Sequence, residues 1–107
     1  MQNIMVIGAG KIGSLIACLL NLHTKDCIFL ADISFETAEV KKLLAHLPNI
    51  QAISLDVTDE KATADSLKNN KITAVISSLP FYLNLHVARA ASQAKVTYFD
   101  LTEDTHV

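Results

Sequence analysis

Ile4-Met5-Val6-Ile7-Gly8-Ala9-Gly10-Lys11-Ile12-Gly13 runs from an apolar segment of strand length, through three glycines, into a stretch whose apolar residues take up helical spacing. Four consecutive apolar residues without alternation describe a strand buried on both faces, as in a parallel sheet. The glycines stand in the spacing G-x-G-x-x-G at the strand-to-helix junction, and that context gives an otherwise weak pattern its meaning. Gly8 permits a tight turn. Gly10 lets an anion reach the backbone without meeting a Cβ, and Gly13 lets the helix lie against the strand. The amide groups of Lys11 and Ile12, in the first helical turn, then point at that anion from the positive end of the helix dipole. A triphosphate loop would need Lys directly after the last glycine. Ser14 stands there, which argues against such a loop.

Outward from this stretch, apolar strand-length runs alternate with helix-length segments, with no linker, internal repeat or low-complexity tract. The strands are expected at Asn3 to Ile7, Cys27 to Ala31, Ile50 to Leu55, Thr73 to Ser77 and Thr97 to Asp100, all with both faces buried. In the first helix, Ile12, Leu15, Ile16, Leu19 and Leu20 fall on one face, which is expected to pack on the sheet. The second helix should start at a Ser34 cap, carry the stripe Val40, Leu43, Leu44 and Leu47, and stop at Pro48. The third is expected over Asp59 to Asn69 after a Thr58 cap; with Leu67 its single large apolar residue, it should be the most exposed helix. The fourth should begin near Pro80 and bury Leu83, Val87, Ala90, Ala91 and Ala94. Parallel strands with right-handed crossovers then predict a doubly wound α/β sheet of Rossmann type, five strands in the order 3-2-1-4-5. A sixth strand is missing from the pattern. The expectation is that residues 1–107 form a dinucleotide-binding domain, the N-terminal part of a larger protein.

Asp32 ends the second strand 19 positions after Gly13, where a carboxylate can accept the hydroxyls of an adenosine ribose. An acid there also repels a phosphate on the ribose 2'-oxygen. Ile33, Ser34 and Phe35 follow it with no Arg to compensate, so NAD is favoured over NADP. Asp56 and Val57 end the third strand, where they can touch the adenine or simply turn the chain toward Thr58. Ser77, Ser78, Leu79 and Pro80 end the fourth strand beside the topological switch point, the side expected for the nicotinamide.

The composition agrees with one small globular domain. The chain has 107 residues, 9 Lys plus Arg against 11 Asp plus Glu, a formal charge of -2, and is half apolar. Scattered basic residues, with Arg89 the sole arginine, argue against a nucleic-acid partner. No apolar run approaches membrane-span length and no cationic leader precedes Ile4, which points to a cytoplasmic protein without membrane contact. Cys18 and Cys27 read as small buried thiols rather than a disulfide. His23, His46, His86 and His106 share no ligand spacing, so a metal site is not expected.

With these residues in view, the chain resembles the N-terminal cofactor domain of the saccharopine dehydrogenase-like family. Four segments carry the resemblance: Val6 to Ser14, Ala31-Asp32, Ser77-Ser78-Leu79-Pro80-Phe81, and Tyr98-Phe99-Asp100-Leu101-Thr102-Glu103. The first two are common to Rossmann domains and the last two are more particular to the family. The resemblance implies an oxidoreductase that forms or oxidises a C–N bond on an amino-acid or polyamine substrate; saccharopine, lysine and carboxynorspermidine are candidates. It implies substrate contacts and acid-base groups in a second domain absent here, and a parent protein that is a homo-oligomer. The isolated chain should then bind cofactor without turnover. Phe81 stands where relatives can carry a substrate-facing Tyr. The alternative is the nucleotide-sensing module of potassium channels and transporters, which shares the glycine loop and the Asp. Such modules tend to follow the third strand with Gly-Asp and the fourth with Thr plus acidic residues, unlike Leu55-Asp56-Val57 and Ser78-Leu79-Pro80.

Overall fold

The computed structural model describes residues 2–33, 38–47 and 49–101. Strands and helices alternate along the chain: β1 (Asn3–Ile7), α1 (Lys11–His23), β2 (Cys27–Asp32), α2 (Ala38–His46), β3 (Gln51–Ser54), α3 (Glu60–Asn69), β4 (Ala74–Ser77), α4 (Phe81–Ala94) and β5 (Thr97–Asp100). The strands form one parallel sheet in the order β3-β2-β1-β4-β5. This is the Rossmann-type order that the sequence predicts.

Side chains of β1 and β2 alternate between two cores. Met5, Ile7, Phe29 and Ala31 join Val75 and the helical residues Leu67, Val87 and Ala91 on one face. Ile4, Val6, Ile28 and Leu30 join Ala17 on the other, where Ile16, Leu20, Leu44 and Leu47 pack from α1 and α2. Burial on both faces therefore holds for β1 and β2. It fails for β3 and β5, which lie at the sheet edges and are largely exposed.

The face of α1 also differs from expectation. Gly13 and Ala17 are buried, flanked by the half-buried Ile16 and Leu20, while Ile12, Leu15, Leu19 and Leu22 are 47% to 60% exposed. The sheet-facing row is thus 13, 16, 17, 20, because small residues bring this helix close to the strand. Nor is α3 the most exposed helix: Thr63, Ala64 and Leu67 are buried against the sheet and α4, whereas none of the described side chains of α2 is buried. Its cap is Asp59 rather than Thr58. The Asp59 carboxylate accepts from Ala62 N at 3.0 Å, and the Thr58 hydroxyl turns instead to Asp56. Pro80 does precede α4 directly. Cys18 and Cys27 are half-buried rather than buried, and no disulfide joins them. The Ser34 cap, the Pro48 stop and the side chains of Val40 and Leu43 lie outside the described residues, as do Thr102 and Glu103.

Candidate functional site

The carboxyl ends of four strands are tied to one another by backbone bonds that continue the ladders into the loops. Gly8 N donates to Ala31 O at 2.8 Å, Ser78 N to Ile7 O at 2.9 Å, and Leu55 N to Asp32 O at 2.8 Å. The turns after β1, β2, β3 and β4 are thereby held along one edge.

In the first turn, Gly8 has φ +109°, a region that side chains rarely enter, and an added Cβ there would meet Ser78 Oγ at 2.8 Å. At Gly13 a Cβ would fall 1.7 Å from the Gly8 carbonyl oxygen. The helix can approach the turn this closely only without a side chain. Gly10 differs, because a Cβ added to it meets nothing within 4 Å. Space lies open in front of its backbone. Gly10 caps α1 with no side-chain hydrogen bond, so the first-turn amides of Lys11, Ile12 and Gly13 receive no acceptor from a capping group. Lys11 and Ile12 are exposed. An open approach, free donors and the helix dipole are what an anion at a helix N-terminus requires.

Asp32 closes this turn from the side. One carboxylate oxygen accepts Ala9 N–H at 2.5 Å and the other accepts Ile33 N–H at 2.6 Å. Sequence reasoning placed Asp32 beside the ligand but missed that it also anchors the glycine loop. No sequence pattern announces a side-chain bond to Ala9.

Next to Asp32 lies a cleft of about 210 Å³ lined by Ile7, Asp32, Ile33, Leu55, Asp56, Val57, Thr58, Leu79 and Leu83. The walls are apolar and the polar groups stand at the rim, the usual build of a small-molecule site. Asp56 accepts from Thr58 N at 3.0 Å and from the Thr58 hydroxyl at 2.6 Å. These bonds, with a smaller contribution from the charge of His86, hold its carboxyl below the usual carboxylate range.

Of the residues singled out in the sequence, Asp32, Asp56, Val57 and Leu79 meet at this cleft. Ser77, Ser78 and Pro80 do not line it. Ser77 is fully buried and donates to Asn84 Oδ1 at 2.6 Å. Ser78 donates to Gly8 O at 3.2 Å, bracing the glycine turn, and Pro80 is an exposed cap of α4. Ile33, Leu55, Thr58 and Leu83 were not anticipated. The run Leu55 to Thr58 was a usable signal, whereas Leu83 was indistinguishable from an ordinary core residue. Among the described residues no cluster of His, Cys, Asp or Glu is suited to a metal ion, and no helix is long and apolar enough to cross a membrane.

A family model described as the saccharopine dehydrogenase NADP binding domain matches residues 4–107, from the first strand through the glycine loop to the end of the chain. The chain belongs to this family. It is therefore an NAD(P)-binding domain of the saccharopine dehydrogenase type. No curated protein sequence matches it. Among solved structures it is similar to apo saccharopine dehydrogenase (L-Glu forming) from Saccharomyces cerevisiae, with 24% identity and a TM-score of 0.79 over 98% of this chain and 22% of that one. UDP-glucose-4-epimerase from Stenotrophomonas maltophila, solved with bound NAD, gives 18% identity and a TM-score of 0.81 over 98% of this chain and 38% of that one. A short-chain dehydrogenase/reductase from Veillonella parvula in complex with NADP gives 15% and 0.75 over 96% of this chain and 48% of that one. At these identities the likeness is one of fold, and this saccharopine dehydrogenase-type domain spans well under two thirds of each.

Proposed function

We propose that this domain binds NAD in preference to NADP, and that it serves an oxidoreductase acting on a C–N bond of an amino-acid or polyamine substrate. The observation that carries the cofactor choice is the Asp32 carboxylate, held at the mouth of the cleft by Ala9 N and Ile33 N. The residues present fit a dinucleotide. The open cradle at Gly10 suits a pyrophosphate, Lys11 and Ile12 supply amide donors, Asp32 accepts ribose hydroxyls, and the apolar cleft between Val57 and Leu79 takes a flat heterocycle. Ser78 supports the glycine turn from behind. When bound, the nicotinamide supplies the hydride acceptor or donor.

A 2'-phosphate would add its charge next to Asp32, with Asp56 on the same rim. Repulsion between unit charges about 4 Å apart is roughly 1 kcal/mol in water and about 4 kcal/mol at an interfacial dielectric. Family membership supports the substrate class. The small share of the neighbours' length supports reading the domain as one of at least two in a larger protein.

The test is Asp32→Asn, which removes the charge but keeps an oxygen that can accept from Ala9 N. NADH and NADPH affinities should converge in this variant, with the glycine loop intact. A ratio that does not respond to Asp32→Asn would show that the carboxylate does not face the ribose. Asp32→Ser, which loses the loop anchor as well, should weaken both ligands.

A further inference from the structure

The carboxyl ends of β1, β4 and β5 lie in one row, since Ile7 pairs with Ser77 and Ser77 with Asp100. Asp100 is exposed at the end of β5. Tyr98, two residues earlier and on the same strand face, donates its hydroxyl to Asp100 Oδ2 at 3.1 Å and lies 3.4 Å from the Asn84 carbonyl oxygen. Behind it stand the buried Ser77 and Asn84, joined at 2.6 Å. Burial pushes the Tyr98 phenol up to about 12, so it remains a donor at neutral pH. Buried polar groups are costly unless each is satisfied, and among the described residues no buried side-chain nitrogen or oxygen lacks a partner. This network orients an exposed carboxylate.

The strand order reverses between β1 and β4. Two parallel units, β1-α1-β2 and β4-α4-β5, run outward from that pair, with Asp32 ending β2 and Asp100 ending β5, Asp100 lying level with Ala31, one residue short of Asp32. A dinucleotide has the same plan: two ribose-bearing halves about a pyrophosphate, with the glycine loop standing at the end of β1. Three interstrand steps, roughly 14 Å, separate the ends of β2 and β5. The two carboxylates therefore cannot serve one ribose.

We propose that Asp100, oriented by Tyr98, accepts the hydroxyls of the second ribose, the one that bears the nicotinamide. This rests on the dinucleotide reading above and extends it to the nicotinamide half, where the hydroxyls of Ser77 and Ser78 are turned to Asn84 and to the glycine turn.

Three ligands test it by titration of the full chain: ADP, which ends before the second ribose; ADP-ribose, which includes it; and NADH. Asp100→Ala should weaken ADP-ribose and NADH by about 10- to 100-fold, the loss of hydrogen bonds to a charged acceptor, and leave ADP within about twofold. Tyr98→Phe should give a smaller loss with the same ligand pattern, which general damage to the fold would not produce. If Asp100→Ala does not fold, the isosteric Asp100→Asn carries the test, with a loss of several-fold. Unchanged affinity for ADP-ribose and NADH overturns the proposal, as does an equal loss for ADP. Loss for NADH alone overturns it too, because the carboxylate would then act on the ring. An unmutated chain that binds none of the three overturns the dinucleotide reading and this proposal together.

Discussion

Gly10 and Gly13 stand three residues apart and fail in opposite ways when given a side chain. The Cβ of Gly13→Ala would collide with the Gly8 carbonyl, a backbone atom that cannot move without reshaping the turn. This variant should lose about 3 kcal/mol or more of stability, seen as an earlier midpoint in urea. Gly10→Val meets open space, at φ -72°, and should keep its fold and far-UV circular dichroism. It should lose dinucleotide binding, because the branched side chain fills the approach to the amides of Lys11 and Ile12. Retained binding would move the pyrophosphate elsewhere. Asp59 belongs to the same scale: as the α3 cap it should cost about 1 kcal/mol when changed to Ala, whereas Thr58→Ala should leave the start of α3 intact.

The pairing of α3 with α4 adds a pH dependence at the scale of elements. Glu60, first residue of α3, accepts from His86 at 2.7 Å and from Arg89 at 3.4 Å, both on α4. The His86 hydrogen bond holds the Glu60 carboxyl below its usual value of 4.5. A carboxyl depressed in the folded state contributes stability that is fully present above 4.5 and is lost as pH falls through the folded value. Glu60→Gln should therefore be less stable than the unmutated chain at neutral pH, with the gap closing on acidification well below 4.5. Urea unfolding at both pH values measures it; a gap independent of pH would assign the effect to packing. Element order and strand order were legible because each strand is a compact apolar run and each crossover is helix-length. The phase of α1 was not, because counting large apolar residues overlooks Gly13 and Ala17, the two that touch the sheet. Edge positions for β3 and β5 followed from the expected strand order, but the apolar Ile53 and Phe99 led both strands to be read as buried on two faces all the same. At the glycine turn, the close packing at Gly8 and Gly13 and the position of Asp32 at the end of β2 were readable from spacing together with the strand-to-helix context. The Asp32 bond to Ala9 joins residues brought together only because β2 lies beside β1, and it has no sequence signature; Tyr98 and Asp100 share a strand face by simple alternation, but the bond between them was not read from it.

Across the whole molecule, the two faces of the sheet are unequally covered. Val75 of β4 is buried under α3 and α4, while Ile76, its neighbour on the other face, is half-buried, and Phe99, paired with it on β5, is 55% exposed. Among the described residues no helix covers that half of the sheet. The opposite half, where α1, β1 and β2 meet, is closed and carries the glycine loop and Asp32 on its carboxyl edge. The connections leaving β1 and β4, which pair side by side, part to opposite sides at that edge, the place where doubly wound sheets bind ligands. The cofactor choice proposed for that edge is open to direct measurement. The chain has no Trp, so NADH and NADPH fluorescence can be titrated without a tryptophan background. NADH should bind more tightly by roughly 1 to 3 kcal/mol, about 5- to 150-fold, the part of the Asp32 repulsion left after solvent screening. Equal affinities, or tighter binding of NADPH, would contradict it.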